Sequence, residues 1–283
     1  MLRRWSIPLT TAVIAFGSLL GVANGASAAV TAQHPATTLV RPGGAAAHGF
    51  RPGGPMQRPT GAASTNAIAG HRYQATSTNW SGYAVTGANG AFKSVSANWT
   101  QPKATCSGSR RSAQYAAFWV GLDGYSSDSV EQTGTDSDCN GKTPDYYGWY
   151  EMYPADPVYY TNTVKPGDSI SASVTFSGTE TYTLVLKDNT QGWTQTKAIN
   201  ESGFDRSSAE VITEAPCCTS SGGILPLANF GTISYGSSTA NGTSLGTQSP
   251  TSIVMVNNSG ADKDSTSSIN SSGGFSNTWI RSS

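Results

Sequence analysis

The chain has 283 residues with 17 basic and 17 acidic side chains, a formal net charge of zero, three histidines and four cysteines. The charge is unevenly placed: Arg3, Arg4, Arg41, Arg51, Arg58 and Arg72 precede residue 77, where no acid occurs, so the remainder holds 11 basic residues against all 17 acids, a net −6. His34, His48 and His71 also fall in that first stretch, so the rest of the chain can build neither a Ser-His-Asp nor a Cys-His centre, nor the usual histidine-bearing zinc sites.

In chain order, Arg3 and Arg4, an apolar run over residues 7–22 and the small residues Ala26, Ser27 and Ala28 read as a secretory signal over residues 1–28. The apolar run is too short for a convincing membrane span. The Arg3-Arg4 pair hints at twin-arginine export, but its flanks do not argue for it. Residues 29–76 are rich in Ala, Gly, Pro and Thr, as in "RPGGAAAHGFRPGGPMQRPTG". Few bulky apolar residues occur there, so by itself this leader is expected to be disordered or loosely ordered. Residues 77–283 are long enough for one domain with a substantial core. The expected product is a secreted, extracellular, soluble monomer.

Within that domain, "DSISASVTFSG" alternates Ile170, Ala172, Val174 and Phe176 with Ser169, Ser171, Ser173 and Thr175. "TYTLVLKDNTQGW" repeats the pattern into a turn over residues 188–192, and "TSIVMVNNSG" is a third such run. Period-two alternation punctuated by Gly, Asn, Asp, Ser and Pro predicts an all-β sandwich or barrel of antiparallel strands. Cys106, Cys139, Cys217 and Cys218 allow three pairings. Cys106 with Cys139 is favoured, leaving Cys217 and Cys218 as a vicinal pair.

Strand parity also groups the polar residues. "AAFWVGLDGY" sets Trp119, Gly121 and Asp123 opposite Phe118, Val120 and Leu122; "SVEQTGTD" puts Gln132, Gly134 and Asp136 with Val130. "YYGWYEMYP" joins Tyr147, Trp149, Glu151 and Tyr153, and "SSAEVITEAP" joins Glu210, Ile212 and Glu214. Aromatic rings interleaved with carboxylates and an amide are the makings of a binding groove. Three chemistries fit it: acid-type peptide hydrolysis, glycoside hydrolysis by two carboxylates, and carbohydrate binding without catalysis.

"NWSGYAV" (79–85), "FWVGLDG" (118–124), "EQTGTD" (131–136), "GWYEMYP" (148–154) and "AEVITEAP" (209–216) stand in the order found in the glutamic peptidases, or eqolisins. The resemblance covers residues 79–216, with "LPLANFGTISY" fitting more loosely. It implies a sandwich of two antiparallel sheets whose curved face binds polypeptide. It also implies a secreted endopeptidase, active in acid, made with a removable N-terminal propeptide and needing neither metal nor cofactor. The catalytic pair falls by motif position on Gln132 and Glu214. Trp119, Asp123, Asp136, Trp149 and Glu151 match positions around that pair, with Glu210 a neighbour on the same face. Trp119 and Trp149 could equally be core, and Asp136 could cap a turn.

The chain departs from the pattern at Val211, where the family has a tryptophan, and at Tyr147, where fungal members carry an acid; its cysteines also allow different disulfides. No nucleic-acid partner is expected, nor a membrane once the signal is gone. The arginine-bearing leader is expected to mask the acidic groove by charge and to be cut between residues 70 and 77. The alternative is a sugar-binding or sugar-cleaving sandwich, for which Glu131 or Glu151 would matter as much as Glu214 and Gln132 would be dispensable.

Overall fold

The computed structural model describes residues 54–59, 75–107, 112–217 and 223–283. Cys218 and the expected signal sequence lie outside them. The first strands in the chain are β1 (Ala75–Ser77), β2 (Trp80–Thr86), β3 (Ser94–Thr100), β4 (Ala113–Gln114), β5 (Ala117–Leu122), β6 (Val130–Asn140), β7 (Thr143–Tyr153) and β8 (Val158–Tyr159). They are followed by β9 (Ser169–Phe176), β10 (Thr181–Asp188), β11 (Trp193–Asn200), β12 (Ser208–Glu214), β13 (Thr232–Ala240) and β14 (Thr243–Ser244). The last are β15 (Thr251–Met255), β16 (Asp264–Thr266) and β17 (Phe275–Trp279). One 3-10 turn, Leu245–Thr247, is the only helical element among the described residues. None of their helices is long and apolar enough to cross a membrane.

The strands form two sheets. The first runs β1-β15-β2-β12-β5-β6-β7-β8, with β4 also on β6; the second runs β11-β10-β9-β3-β13-β17-β16, with β14 on β13. Apart from the parallel β1–β15 pair, the ladders are antiparallel. This is the expected all-β sandwich. The sheet already includes Ala75, just before the boundary at residue 77 drawn from composition.

Period-two alternation decides which side chains fill the space between the sheets. Phe118, Val120, Leu122, Ala209 and Val211 of the first sheet meet Ile170, Val174, Tyr182, Leu184 and Leu186 of the second. The opposite face of the first sheet is apolar too: Trp80, Ala84, Trp119, Val130, Tyr147, Trp149, Ile212 and Ile253 form a second cluster, joined by Met56 from the leader. The hairpin expected at residues 188–192 joins β10 to β11, with Asp188 opposite Trp193.

The Cys106–Cys139 disulfide is present, with Cα atoms 5.4 Å apart and a sequence separation of 33. It ties the segment after β3 to the middle of the first sheet. Closing a loop of that length restricts the unfolded chain by about 4 kcal/mol in a chain-entropy treatment. Cys217 is disulfide-bonded as well.

Candidate active site

The register of the first sheet arranges its second face in rows. Glu214 stands opposite Ala117, Ala117 opposite Asp136, and Asp136 opposite Tyr147. The next row is Ile212, Trp119, Gly134 and Trp149, and the third is Glu210, Gly121, Gln132 and Glu151. Every candidate except Asp123 therefore lies in three adjacent rows on four neighbouring strands.

Gln132 and Glu214 are two rows apart, and one indole links them. A Cβ on Gly134 would lie 2.6 Å from the Trp119 Cβ, and a Cβ on Gly121 would lie 2.8 Å from Trp119 Cζ3 and 3.2 Å from the Gln132 Cβ. Two glycines thus clear the space in which the Trp119 ring lies along the sheet. Its far edge borders the Gln132 row, while its Nε1–H donates to Glu214 Oε2 at 2.9 Å. The carboxylate and the amide therefore flank the same ring on the same face.

Glu214 is fully buried and held by donors. Asn79 Nδ2 donates to its Oε1 at 3.2 Å, and the backbone N–H of Gly54 donates as well. The Trp80 indole N–H lies close enough to favour the charged form but makes no hydrogen bond of ordinary geometry. Desolvation dominates and pushes the Glu214 pKa up to about 8; the N–H donors oppose it.

Gln132 Nε2 donates to Glu151 Oε2 at 2.9 Å. A primary amide carries two N–H donors, so this bond aims the group and leaves the second hydrogen uncommitted to Glu151. Gln132 Oε1 has no partner among the described residues. Asp136 accepts from Trp149 Nε1 at 2.6 Å and from the Tyr147 hydroxyl at 2.8 Å. That hydroxyl also lies 2.5 Å from Asp138 Oδ2. One phenolic hydroxyl thus bridges the two carboxylates, Asp136 and Asp138, of β6. Asp136 caps no turn; it braces Trp149 beside the pair.

Asp123 and Glu210 have other surroundings. Asp123 accepts from the Arg206 and Ser207 backbone N–H groups, at 2.5 and 2.8 Å, and so anchors the segment entering β12. Glu210 is fully buried, and neither carboxyl oxygen has a hydrogen bond of ordinary geometry. Desolvation first, then Asp123 and Glu131, raise its pKa well above the usual carboxylate range. Glu131, on the opposite strand face, is raised in the same way by burial and by Asp123. These three carboxyls form an acid cluster at the Glu210 end of the Gln132 row.

Asn79 is a site residue that the sequence reading does not single out, and Tyr147 is one that it names only by strand parity and as a departure from the family pattern. For Asn79 the available signal is its place at the head of the "NWSGYAV" block; for Tyr147 it is its parity with Trp149 and Glu151. Among the described residues, no group of three or more His, Cys, Asp or Glu is placed to hold a metal ion.

Comparison with known proteins bears on the chain's family and fold. Residues 78–279 match the sequence profile of the peptidase A4 family. Scytalidopepsin B of Scytalidium lignicola is 33% identical over 161 residues, covering 54% of this chain and 58% of that protein; the chain thus aligns with little more than half the length of this relative. The crystal structure of scytalido-glutamic peptidase with a transition state analog inhibitor matches with a TM-score of 0.61 at 27% identity, over 72% of this chain and 98% of the other. SCP-B, described as a member of the eqolisin family in complex with the tripeptide Ala-Ile-His, matches with a TM-score of 0.57 at 26% identity, over 72% and 98%.

Proposed function

We propose a function from the family to which this chain belongs, peptidase A4: it is a secreted glutamic endopeptidase that works in acid on extended polypeptides. The supporting observation is the setting of Glu214. It is fixed by two side-chain N–H donors and touched by the main chain of a peptide segment lying on the groove face.

In this reading the ionised Glu214 takes a proton from a water molecule as its oxygen attacks the scissile carbonyl carbon. Gln132, aimed by Glu151, donates its second Nε2–H to the oxygen on which negative charge develops. When the tetrahedral intermediate collapses, the C–N bond breaks and Glu214 returns the proton to the leaving nitrogen. The products are a carboxylic acid and an amine, and the base is regenerated. An amide partner does not titrate, so one ionisation governs the pair. The pKa near 8 belongs to a carboxyl covered by residues 54–57. Water admitted when that segment leaves solvates the charged form and brings the pKa down, so the base stays ionised in acid. Trp119 stabilises the negative charge of Glu214 between turnovers, and Trp149, braced by Asp136, shapes the floor beside it.

Family membership favours peptide over sugar as substrate. Glu151 is engaged with Gln132, so the amide that a two-carboxylate glycosidase would not need is a group that Glu151 holds. The test is hydrolysis of a quenched peptide at pH 4 by wild type, Glu214→Gln and Gln132→Ala, with folding checked by near-ultraviolet circular dichroism. Losing the base should cost about 10²–10⁴-fold in kcat and losing the oxyanion donor about 10²–10³-fold. Two folded variants with wild-type rates would refute the assignment.

A further inference from the structure

Behind Glu214, on the other face of β12, a polar seam crosses between the sheets. Thr213 of β12 stands opposite Ser81 of β2, and both meet side chains of the second sheet: Tyr235 of β13, Asp264 of β16 and Asn277 of β17. Ser81, Thr213, Asp264 and Asn277 are fully buried. Polar groups removed from water in this way hold one arrangement when each proton has an acceptor.

The protons can be assigned. Asn277 Nδ2 donates to Ser81 Oγ at 3.1 Å and to Thr213 Oγ1 at 2.9 Å. The Tyr235 hydroxyl donates to Ile212 O at 2.8 Å, so Thr213 is the donor in its 2.9 Å contact with Tyr235. Ser81 is left with one proton and two acceptors, Thr213 O at 3.3 Å and Asp264 Oδ2, which lies closer. The Met255 N–H donates to Asp264 Oδ1 at 3.3 Å, so a proton carried by this carboxyl belongs on Oδ2, facing Ser81. The charge of Asp264 therefore sets the direction of the Ser81 hydroxyl. A neutral Asp264 donates to Ser81, which then donates to Thr213 O. An ionised Asp264 takes the Ser81 proton, and Thr213 O loses that donor.

Desolvation raises the Asp264 pKa to about 7; Asp262 adds to the rise, while Ser81, the Met255 N–H and Lys263 oppose it. Lys263 is itself buried, and desolvation lowers its pKa to about 8. Tyr235 is the other titratable group facing Asp264, and Arg281 acts on Asp262. In acid the Asp264 carboxyl is thus neutral, with Lys263 charged beside it.

We propose that Asp264 and Ser81 are positioning residues for the peptidase reaction: the neutral Asp264 carboxyl turns Ser81 onto the Thr213 carbonyl and so holds the peptide unit that carries Glu214. The inference rests on the peptidase reading and adds the regulation of that site. The catalytic pair titrates only at Glu214, which must be ionised, so by itself it imposes an acidic limb on the rate and no basic one. Loss of the Asp264 proton frees the Thr213–Glu214 peptide plane on its interior side, and a reacting group displaced by about 1 Å loses on the order of a hundredfold in rate. The basic limb belongs to Asp264.

The experiment compares full chains of wild type, Asp264→Asn and Ser81→Ala on a quenched peptide from pH 3 to pH 8, with near-ultraviolet circular dichroism at each pH. An Asn amide donates to Ser81 at every pH and still accepts from Met255, so Asp264→Asn should stay within about twofold of the wild-type kcat at pH 4. Wild-type kcat should fall about tenfold as pH rises through 7, the effect of one lost hydrogen bond, with KM little changed. Asp264→Asn should hold its rate to pH 8. Ser81→Ala should be about tenfold slower already at pH 4 and show no basic limb. A folded Asp264→Asn with the wild-type limb would overturn the proposal, as would a wild-type limb that tracks loss of the near-ultraviolet signal. Where Asp264→Asn does not fold, Ser81→Ala decides, and a wild-type profile there overturns the proposal. Infrared difference spectra keep the two readings apart. A protonated-carboxyl band of wild type that vanishes between pH 5 and pH 8 and is missing from Asp264→Asn, in a chain that hydrolyses no peptide, would sink the peptidase reading and leave the Asp264–Ser81 switch standing.

Discussion

The two sheets of the sandwich bury themselves in different ways. In the second sheet, β9 alternates buried and more accessible positions along most of its length, and its accessible face carries Ser171, Ser173 and Thr175. In the first, β5 and β12 are buried at every position. An antiparallel sheet with one wet face needs only apolar side chains inward and hydroxyls outward. A sheet covered on both faces must give every polar group a partner or a proton. The first sheet meets most of that demand with N–H donors at Glu214 and Asp136 and with raised pKa values at Glu210 and Glu131, and leaves Gln132 Oε1 without a partner among the described residues. Function gathers where alternation is lost, because there carboxylates are removed from water and their chemistry becomes adjustable.

The sharpest way to break this contrast is substitution within it. Glu214→Gln should abolish nearly all peptidase activity while leaving the melting temperature close to wild type. A variant of the same sheet that melted normally and kept its rate would show that the buried acids are merely structural.

A smaller effect is expected at the donor. Trp119→Phe removes a hydrogen bond to a charged group, worth about ten- to a hundredfold in rate. Because that bond lowers the Glu214 pKa, its loss raises the pKa further. The acidic limb of the kcat profile should therefore move to higher pH. A profile that keeps its position while kcat falls would mean that Trp119 acts by shape alone.

Stability against pH tests the buried acids of both sheets next. Glu131, Glu210 and Asp264 have folded-state pKa values raised by burial, that of Asp264 to about 7. Their protonated forms are favoured by folding, so their contribution is fully present below the unfolded values near about 4. It is lost as pH rises through the folded ones. Melting temperature should fall between pH 4 and pH 8, and Glu210→Gln should flatten that fall by several degrees at the upper end. Coincident wild-type and variant curves would remove Glu210 as a source.

The smallest effect belongs to the wet face. Ser173 and Lys187 line an open hollow on the second sheet. Alanine at either should change stability by no more than about 0.5 kcal/mol and leave peptide hydrolysis as it was; a tenfold loss of rate would make that hollow part of the working surface.

Much of the site is legible in the sequence. Parity places Gln132, Trp119, Asp136, Trp149, Glu151, Glu210 and Glu214 on one face because side-chain direction along a strand is a local, period-two property. Parity also places Asp123 there, and this fails: its backbone turns to φ 70° just past β5, sending the carboxylate to the Arg206 and Ser207 amides. The charge of the leader is legible, but the seat of Met56 is not, since nothing in a Gly/Pro-rich tract announces a hollow assembled from strands further along the chain.

The sequence alone thus determined the strands, their two faces, the absence of histidine from the domain and the ordered motif blocks. All of these depend on residues near one another in the chain. Only the tertiary structure decided that Glu151 orients Gln132, that the Trp119 indole spans the gap to Glu214, and that Asn79 bonds Glu214 as well as Pro55 and Gln57. Those are matters of register between strands, and register is fixed by contacts across the sheet that no single segment contains.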